Sequence, residues 1–484
     1  MSITRSLSNA MSGLNAASRM AEVVASNTAN AMTEGYARRE VQLTTRTLAG
    51  GGAGVKVSGI ARLTNETVLQ DRRLADAADQ NASLRSDFFA DMEGWIGDPD
   101  MPGSLSARIV TLEAALVEAA SRPDSEARLS TVRDAASAIA THLNDTSSSI
   151  QQARMDADHA IADQVSLLNE TLVQIDALNT TILSQDASGR DASAMLDQRQ
   201  VLVDRLSAIV PVRQIQRDQQ QISLYTTGGV VLLEGNPAEI TFSGAGIITA
   251  DMTQASGALS GLSLKGTALS TSDDRQMGGG SLGALFAIRD ELAPRAQSQL
   301  DGFARDLIDR FSDPAIDPTL PAGDPGLFTI AGGPVDPLDT VGLAKRISIN
   351  PIADPEQGGA LWHLRDGLGA ASPGTSGNPQ ILSALTDALH AERIPASGSF
   401  GGGQHNASDL AAALISDYSS KRQTAELTQS FTSARHQSLN ELVLADGVDT
   451  DNELQMLMAV EQSYAANARV ISTIDTLIKT LLEL

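Results

Sequence analysis

The 484-residue chain contains no cysteine, which excludes disulfides, thiolate metal sites, iron–sulfur clusters and cysteine nucleophiles together. Aromatic residues are scarce, with 9 Phe, 4 Tyr and 2 Trp, so the core must be built from Ala, Leu, Ile, Val and Met. Basic residues number 35 against 59 acidic ones, a net charge of −24. A chain so acidic is repelled by nucleic acid and by anionic lipid, and neither is expected as a partner. No run approaches the ~18 consecutive apolar residues of a membrane-spanning helix, and the first thirty residues lack the basic start and apolar stretch of a secretory signal.

Signs of catalytic or cofactor chemistry are equally sparse. His142, His159, His363, His390, His405 and His436 show no H-x-x-x-H spacing, and no H-E-x-x-H zinc motif is present. Gly50 to Gly54 is not followed by Lys-Ser/Thr, so it reads as a turn before a strand from Val55 to Ile60. Asp446, Asp449, Asp451 and Glu453 share only composition with a calcium loop and read as helix-capping residues. No catalytic residue, cofactor or metal is expected.

What the sequence does have is helical periodicity. A chain this long is expected to form two or three domains. Pro123 to Gly189 brackets a span with neither Pro nor Gly, along which Ile139, Leu143, Thr146, Ile150, Ala153, Ala157 and Ala160 step by three and four, with Ile161, Val165, Leu168, Leu172, Ile175 and Leu178 continuing. This predicts a rod of about ninety ångströms at ~1.5 Å per residue, with a possible break between Thr146 and Ser149. Helices are also expected over Asn65 to Trp95, Leu105 to Ser121, Ala192 to Ile209, Leu282 to Phe311, Gln380 to Ala391 and Ser408 to Leu444. Short β-favouring runs between Val212 and Leu264, punctuated by Gly228-Gly229, Gly235-Asn236-Pro237 and Gly244-Ala245-Gly246, predict a small inserted β subdomain. Residues 313–405, rich in Pro and Gly, read as irregular chain lying on the rod.

Both ends carry single-seam amphipathic helices. Ile3, Leu7, Ala10, Leu14, Ala17, Ala21, Val24, Thr28 and Ala31 form one seam; Leu457, Val460, Tyr464, Asn467, Ile471, Ile474, Ile478 and Leu481 form the other. Thr450 and Glu453 have the spacing of a capping box. Two readings follow: the ends pair as an antiparallel stalk within one chain, or the Ala-rich N-terminal seam is too weak alone and orders against neighbouring subunits. Asn467 is a polar seam residue of the type that fixes register.

Particular residues then carry a resemblance. Ala10-Met11-Ser12-Gly13-Leu14-Asn15-Ala16-Ala17, Ser26-Asn27-Thr28-Ala29-Asn30 and Gly35-Tyr36-Ala37-Arg38 resemble the N-terminal signature of bacterial flagellar axial proteins, and Tyr464-Ala465-Ala466-Asn467-Ala468-Arg469-Val470 the C-terminal one. Leu196-Asp197-Gln198-Arg199 with Leu202, Val203 and Leu206, and Gly280-Ser281-Leu282-Gly283-Ala284-Leu285 with Arg289-Asp290, resemble the hook–filament junction family of hook-associated proteins. Thr28 departs from that family, which has an apolar residue there. The short path from Phe328 to Ile347-Ser348-Ile349-Asn350 leaves out the outer β domain of many members.

The expected architecture is mainly α and elongated, with a terminal coiled-coil assembly domain (1–40 and 452–484), a helical rod domain (41–210 and 281–451) and an inserted β subdomain (211–280). The resemblance implies a structural protein, exported unfolded through the flagellar type III apparatus and assembled between hook and filament. Its implied partners are further copies of itself, hook protein, hook-associated protein 3 and an export chaperone holding the C-terminal helix. Ile3, Leu7, Leu14, Val24, Asn27, Asn30, Gly35, Tyr36, Leu457, Val460, Tyr464, Asn467, Ile471, Ile474, Ile478 and Leu481 are the expected assembly interface. Hook-associated protein 3 or a hook protein is the alternative within axial proteins; an enzyme on such a scaffold is the alternative outside them.

Overall fold

A computed structural model describes residues 3–48, 51–273, 275–336, 339–398, 400 and 403–483. It is mainly α. Helix α1 (Ile3–Ala29) leads through a short turn into a β hairpin, β1 (Arg39–Leu48) and β2 (Gly51–Arg62), and then into α2 (Glu66–Ile96), α3 (Leu105–Ser121), α4 (Glu126–Ala187) and α5 (Ser193–Ile209). Seven short strands follow: β3 (Val212–Gln216), β4 (Ile222–Thr226), β5 (Val231–Glu234), β6 (Asn236–Pro237), β7 (Ile240–Thr241), β8 (Leu262–Leu264) and β9 (Thr267–Leu269). The helical body resumes with α6 (Gly280–Ala287) and α7 (Ala293–Phe311). Thereafter come β10 (Phe328–Ile330), α8 (Leu343–Arg346), β11 (Ile347–Ile349), α9 (His363–Asp366), α10 (Gln380–His390), α11 (Ala407–Ala445) and α12 (Thr450–Leu482).

The 62-residue α4 is the axis of the body. It does not break at Thr146 to Ser149, because the hydroxyls there turn onto the helix itself: Thr146, Ser148 and Ser149 donate to the carbonyls of His142, Asn144 and Asp145 at 2.9, 2.6 and 3.1 Å. Back-bonding of this kind satisfies the hydroxyl without an alternative turn. Ile139, Leu143, Ile150, Ile161, Leu168, Leu172 and Ile175 on its seam are all fully buried. Helix α11 runs antiparallel along α2, with Glu93 accepting from Ser419 and Arg422 at one end and Asp79 accepting from Thr432 at the other.

Asparagines dock the β subdomain onto α4. Asn169 donates to the Ile240 carbonyl at 2.8 Å and accepts from its N–H at 2.9 Å, standing in for a strand neighbour. Asn179 donates to the Ile222 carbonyl at 3.0 Å. The strands form sheets ordered β3-β4-β5-β6 and β7-β8-β9, all antiparallel. A buried ion pair closes the attachment: Arg289 donates to Asp158 at 2.6 Å with neither side chain exposed, while Asp158 also accepts from the Ala245 N–H at 2.7 Å.

Four local expectations change. The stretch Leu282 to Phe311 is two helices joined by a π-turn at Ile288–Leu292; Pro294 has no N–H to give, so the helix widens just before it. Residues 41–62, placed in the helical rod domain with only Val55 to Ile60 expected as a strand, belong to a hairpin of β1 and β2 with register shifts at Gln42/Leu43 and Thr45/Thr47. Gly51 to Gly54, expected as a turn, are the first residues of β2, and the expected turn residue Gly50 lies outside the described residues. Helix α12 is capped by Asp449, which accepts from Asp451 and Asn452, and not by a Thr450–Glu453 box. In residues 313–405, β10 and β11 pair as an antiparallel two-stranded sheet.

Candidate assembly site at the terminal helices

Helix α1 packs along α12 within one chain. Gly13 faces Asn467, where a Cβ would come within 2.8 Å of the amide, and Asn27 donates to Glu453 at 3.1 Å. Fourteen residues forward along α1 thus match fourteen backward along α12, so the pair is antiparallel. Of the seam residues, Ala10, Ala17, Val24, Val460 and Ile474 are buried; Leu7, Leu14, Ala21, Leu457, Asn467 and Ile471 are half-buried; Ile3, Tyr464, Ile478 and Leu481 are exposed. Thr28 is exposed and donates to the Val24 carbonyl, and Ala31 lies beyond the end of α1. The place expected for Thr28 in the seam is taken by Asn27, which is 1% exposed.

At the base of this pair the signature residues converge. The Asn27 side chain holds the chain beyond the turn: its Oδ1 accepts from the Arg39 N–H at 3.1 Å and from the Tyr36 hydroxyl at 2.9 Å, and its Nδ2 donates to the Arg39 carbonyl at 2.9 Å. Asn30 donates to the Ser26 carbonyl at 2.8 Å, closing the helix end. Gly35 turns the chain at φ +73°, with Val201 so close that a Cβ would stand 2.3 Å from it. No L side chain fits that conformation and that space without strain.

Two carboxylates tie the three parts together. Glu453 of α12, 1% exposed, accepts from Arg38 at 2.7 Å as well as from Asn27. Asp197 of α5 accepts from Arg39 at 2.7 Å, Arg62 at 2.6 Å and the Ala37 N–H at 3.3 Å. One residue therefore pins both ends of the β1–β2 hairpin to the helical body. Such charge-assisted bonds, largely out of water, are stronger and more directional than surface pairs. Asn27, Asn30, Gly35 and Tyr36, expected as assembly-interface residues, come together here within one chain. Sequence reasoning assigned no joining role to Arg62, whose only legible signal was charge, or to Glu453, whose spacing from Thr450 pointed to a local cap.

Among the described residues no group of three or more His, Asp or Glu is placed to hold a metal ion, and no helix is long and apolar enough to cross a membrane. The long helices expose instead a set of apolar side chains: Met11 on α1, and Leu454, Met458, Tyr464, Leu477, Leu481 and Leu482 on α12.

Three family models match: "Flagella basal body rod protein" over residues 7–36, "Flagellar hook-associated protein FlgK helical domain" over 89–314, and "Flagellar basal body rod FlgEFG protein C-terminal" over 445–484. With the paired terminal helices, these make the chain a flagellar axial protein. Flagellar hook-associated protein 1 of Bacillus subtilis (strain 168) is 22% identical across 98% of this chain and 96% of its own length. That of Salmonella typhimurium is 27% identical across 48% of this chain and 43% of its own. The solved structure titled as the flagellar hook junction protein FlgK from Burkholderia pseudomallei is 21% identical, with a TM-score of 0.43 over 54% of this chain and 46% of that one. The chain is thus similar to flagellar hook-associated protein 1 along nearly its whole length, and these matches support a structural component of the flagellar junction.

Proposed function

We propose that this protein joins hook to filament by helical assembly through its α1–α12 pair. The observation that carries this reading is the thin antiparallel pair itself, with only Glu453, Val460 and Ile474 buried along the whole of α12. A two-helix pair that leaves Tyr464, Leu477 and Leu481 in water is completed by neighbours. The exposed members of the expected interface, Ile3, Tyr464, Ile478 and Leu481, would then face adjacent copies, with hook protein and hook-associated protein 3 as the further partners.

The domain division expected from the sequence suits this role, with the terminal pair as assembly domain, the α2–α7 and α11 body as rod, and residues 211–280 as an outer subdomain. Export through the type III apparatus and capture of α12 by a chaperone fit a chain without cysteine whose C-terminal helix is mostly uncovered. No catalytic role is assigned.

The test is removal of residues 452–484. The body is expected to keep its helical signal while incorporation at the hook tip is lost; normal filaments on the truncated protein would overturn the reading. Amide exchange over residues 3–29 is expected to be fast in the monomer and slowed on polymerisation.

A further inference from the structure

Between β2, the start of α2 and the first half of α5 lies a polar cleft of about 840 Å³, a size that takes a small ligand or a few side chains. Five arginines and three carboxylates line it, in a chain whose net charge is −24. Two of those carboxylates are already engaged, Asp186 with Gln220 and Asp191 with Ser193; Glu66, at the mouth, accepts from Thr64.

The cations are under-neutralised. Arg62 shares Asp197 with Arg39, and Arg73 shares Asp204 with Arg72. Arg199, 5% exposed, has no carboxylate partner among the described residues. Its Nη1 donates to the Asn179 amide oxygen at 2.8 Å and the Gln220 carbonyl at 2.7 Å, and its Nε and Nη2 meet no acceptor among the described residues. Burial, and then the charge of Arg62, pull the Arg199 guanidinium down to about 10, with Glu66 opposing the shift and Arg73 adding to it. A buried guanidinium bonded only to neutral oxygens, with Glu66 near it but Arg62 and Arg73 pressing on it, has less counter-charge than ordinarily accompanies it.

We infer that this cleft is an anion site for the carboxylates of an acidic segment in a second copy of the chain, with Arg199 as its innermost contact and Arg62 and Arg73 at its sides. The occupant follows from charge. Copies carrying −24 each repel one another, so a stable contact between them needs a local patch of opposite sign. Residues 1–62 hold seven basic residues against three acidic, leaving 28 against 56 in the remainder. The basic base of one copy therefore meets an acidic body in the next. This inference rests on the assembly reading above and deepens it.

The experiment uses the full chain and has two arms. In the first, citrate is titrated into monomer and thermal unfolding followed: a saturable rise in Tm is expected, absent in Arg199→Met and not reproduced by NaCl at equal ionic strength. Gly59→Glu is the second variant. Gly59 lines the cleft, its φ is ordinary and a Cβ there meets nothing within 4 Å, so the fold is kept while a carboxylate enters the mouth; it too is expected to abolish the citrate effect. In the second arm, sedimentation compares self-association of wild type, Gly59→Ala and Gly59→Glu at low salt, with a loss of about tenfold or more expected for Gly59→Glu alone. No citrate effect on wild type overturns the anion site. A citrate effect with unchanged association of Gly59→Glu overturns the second copy as occupant and leaves the assembly reading standing. Wild type that does not associate at any concentration overturns both.

Discussion

Asn27 and Glu453 lie 426 positions apart in the chain and 3.1 Å apart in the fold. That bond, with Arg38 on the other carboxylate oxygen, joins the two ends of the polypeptide where they meet the hairpin. Glu453→Ala removes the acceptor from both groups. Because Arg38 is partly exposed and can rehydrate, the expected cost is about 2 kcal/mol, below the penalty of a fully buried orphan. Unfolding monitored at α12, with Glu453→Gln retaining the Asn27 bond and recovering part of the loss, checks it.

Asp197 couples the hairpin to α5 through Arg39 and Arg62. Asp197→Asn keeps the shape but removes the charge that two guanidiniums share, at an expected cost of about 2–3 kcal/mol. The effect should be local: amides of β1 and β2 exchange faster while α4 is unchanged. Loss of protection throughout α4 would show that the residue supports the body and not the joint.

The helical rod was legible because nothing between Pro123 and Gly189 interrupts it, and the β subdomain because Gly and Pro punctuate branched residues. The imagined break at Thr146 to Ser149 was not resolvable from residue type, since the same hydroxyl can end a helix or bond back within it. Strand β1 was missed although Val41 to Thr47 carries the branched, alternating signal; its flanking arginines masked it. Glu453 was read as a local cap because three-residue spacing is visible in a sequence and a partner at Asn27 is not. The signature residues from Ser26 to Arg38 stood out as a pattern, but their purpose depends on Asp197 and Glu453, which only folding brings alongside.

The Asp158–Arg289 pair anchors the β subdomain with both side chains fully buried. Asp158→Asn leaves Arg289 with Asp290 as its remaining carboxylate, and the expected loss is about 3 kcal/mol. Proteolysis should then start between β7 and β8, whose Ala245 N–H loses its charged acceptor. Unchanged digestion there would mean that Asn169 and Asn179 suffice to hold the subdomain.

His142 gives a pH dependence. Burial lowers its pKa, partly opposed by the bond to the Ile96 carbonyl, with Arg108 lowering and Asp145 raising it further. The folded state therefore holds the neutral ring while the unfolded chain takes up a proton near pH 6.5. Stability from this group is present above that pH and is lost as pH falls below it. Compared with His142→Gln, the wild-type Tm is expected to drop between pH 7 and 5; a constant difference overturns the assignment. The raised carboxyls of Asp76, Asp301 and Asp306 act in the opposite direction and are common to both proteins.

Gly35 combines a positive φ with the Val201 contact, so its replacement separates two costs. Gly35→Ala is expected to destabilise the joint by about 2–3 kcal/mol, roughly 1 of it from the left-handed backbone. Val201→Ala in the same chain removes the steric part alone and should return the difference, giving a coupling of about 1 kcal/mol or more in a double-mutant cycle. Additive effects would mean that the turn relaxes away from α5, in which case the Arg39–Asp197 bond should weaken with it and β1 amides exchange faster in the single variant.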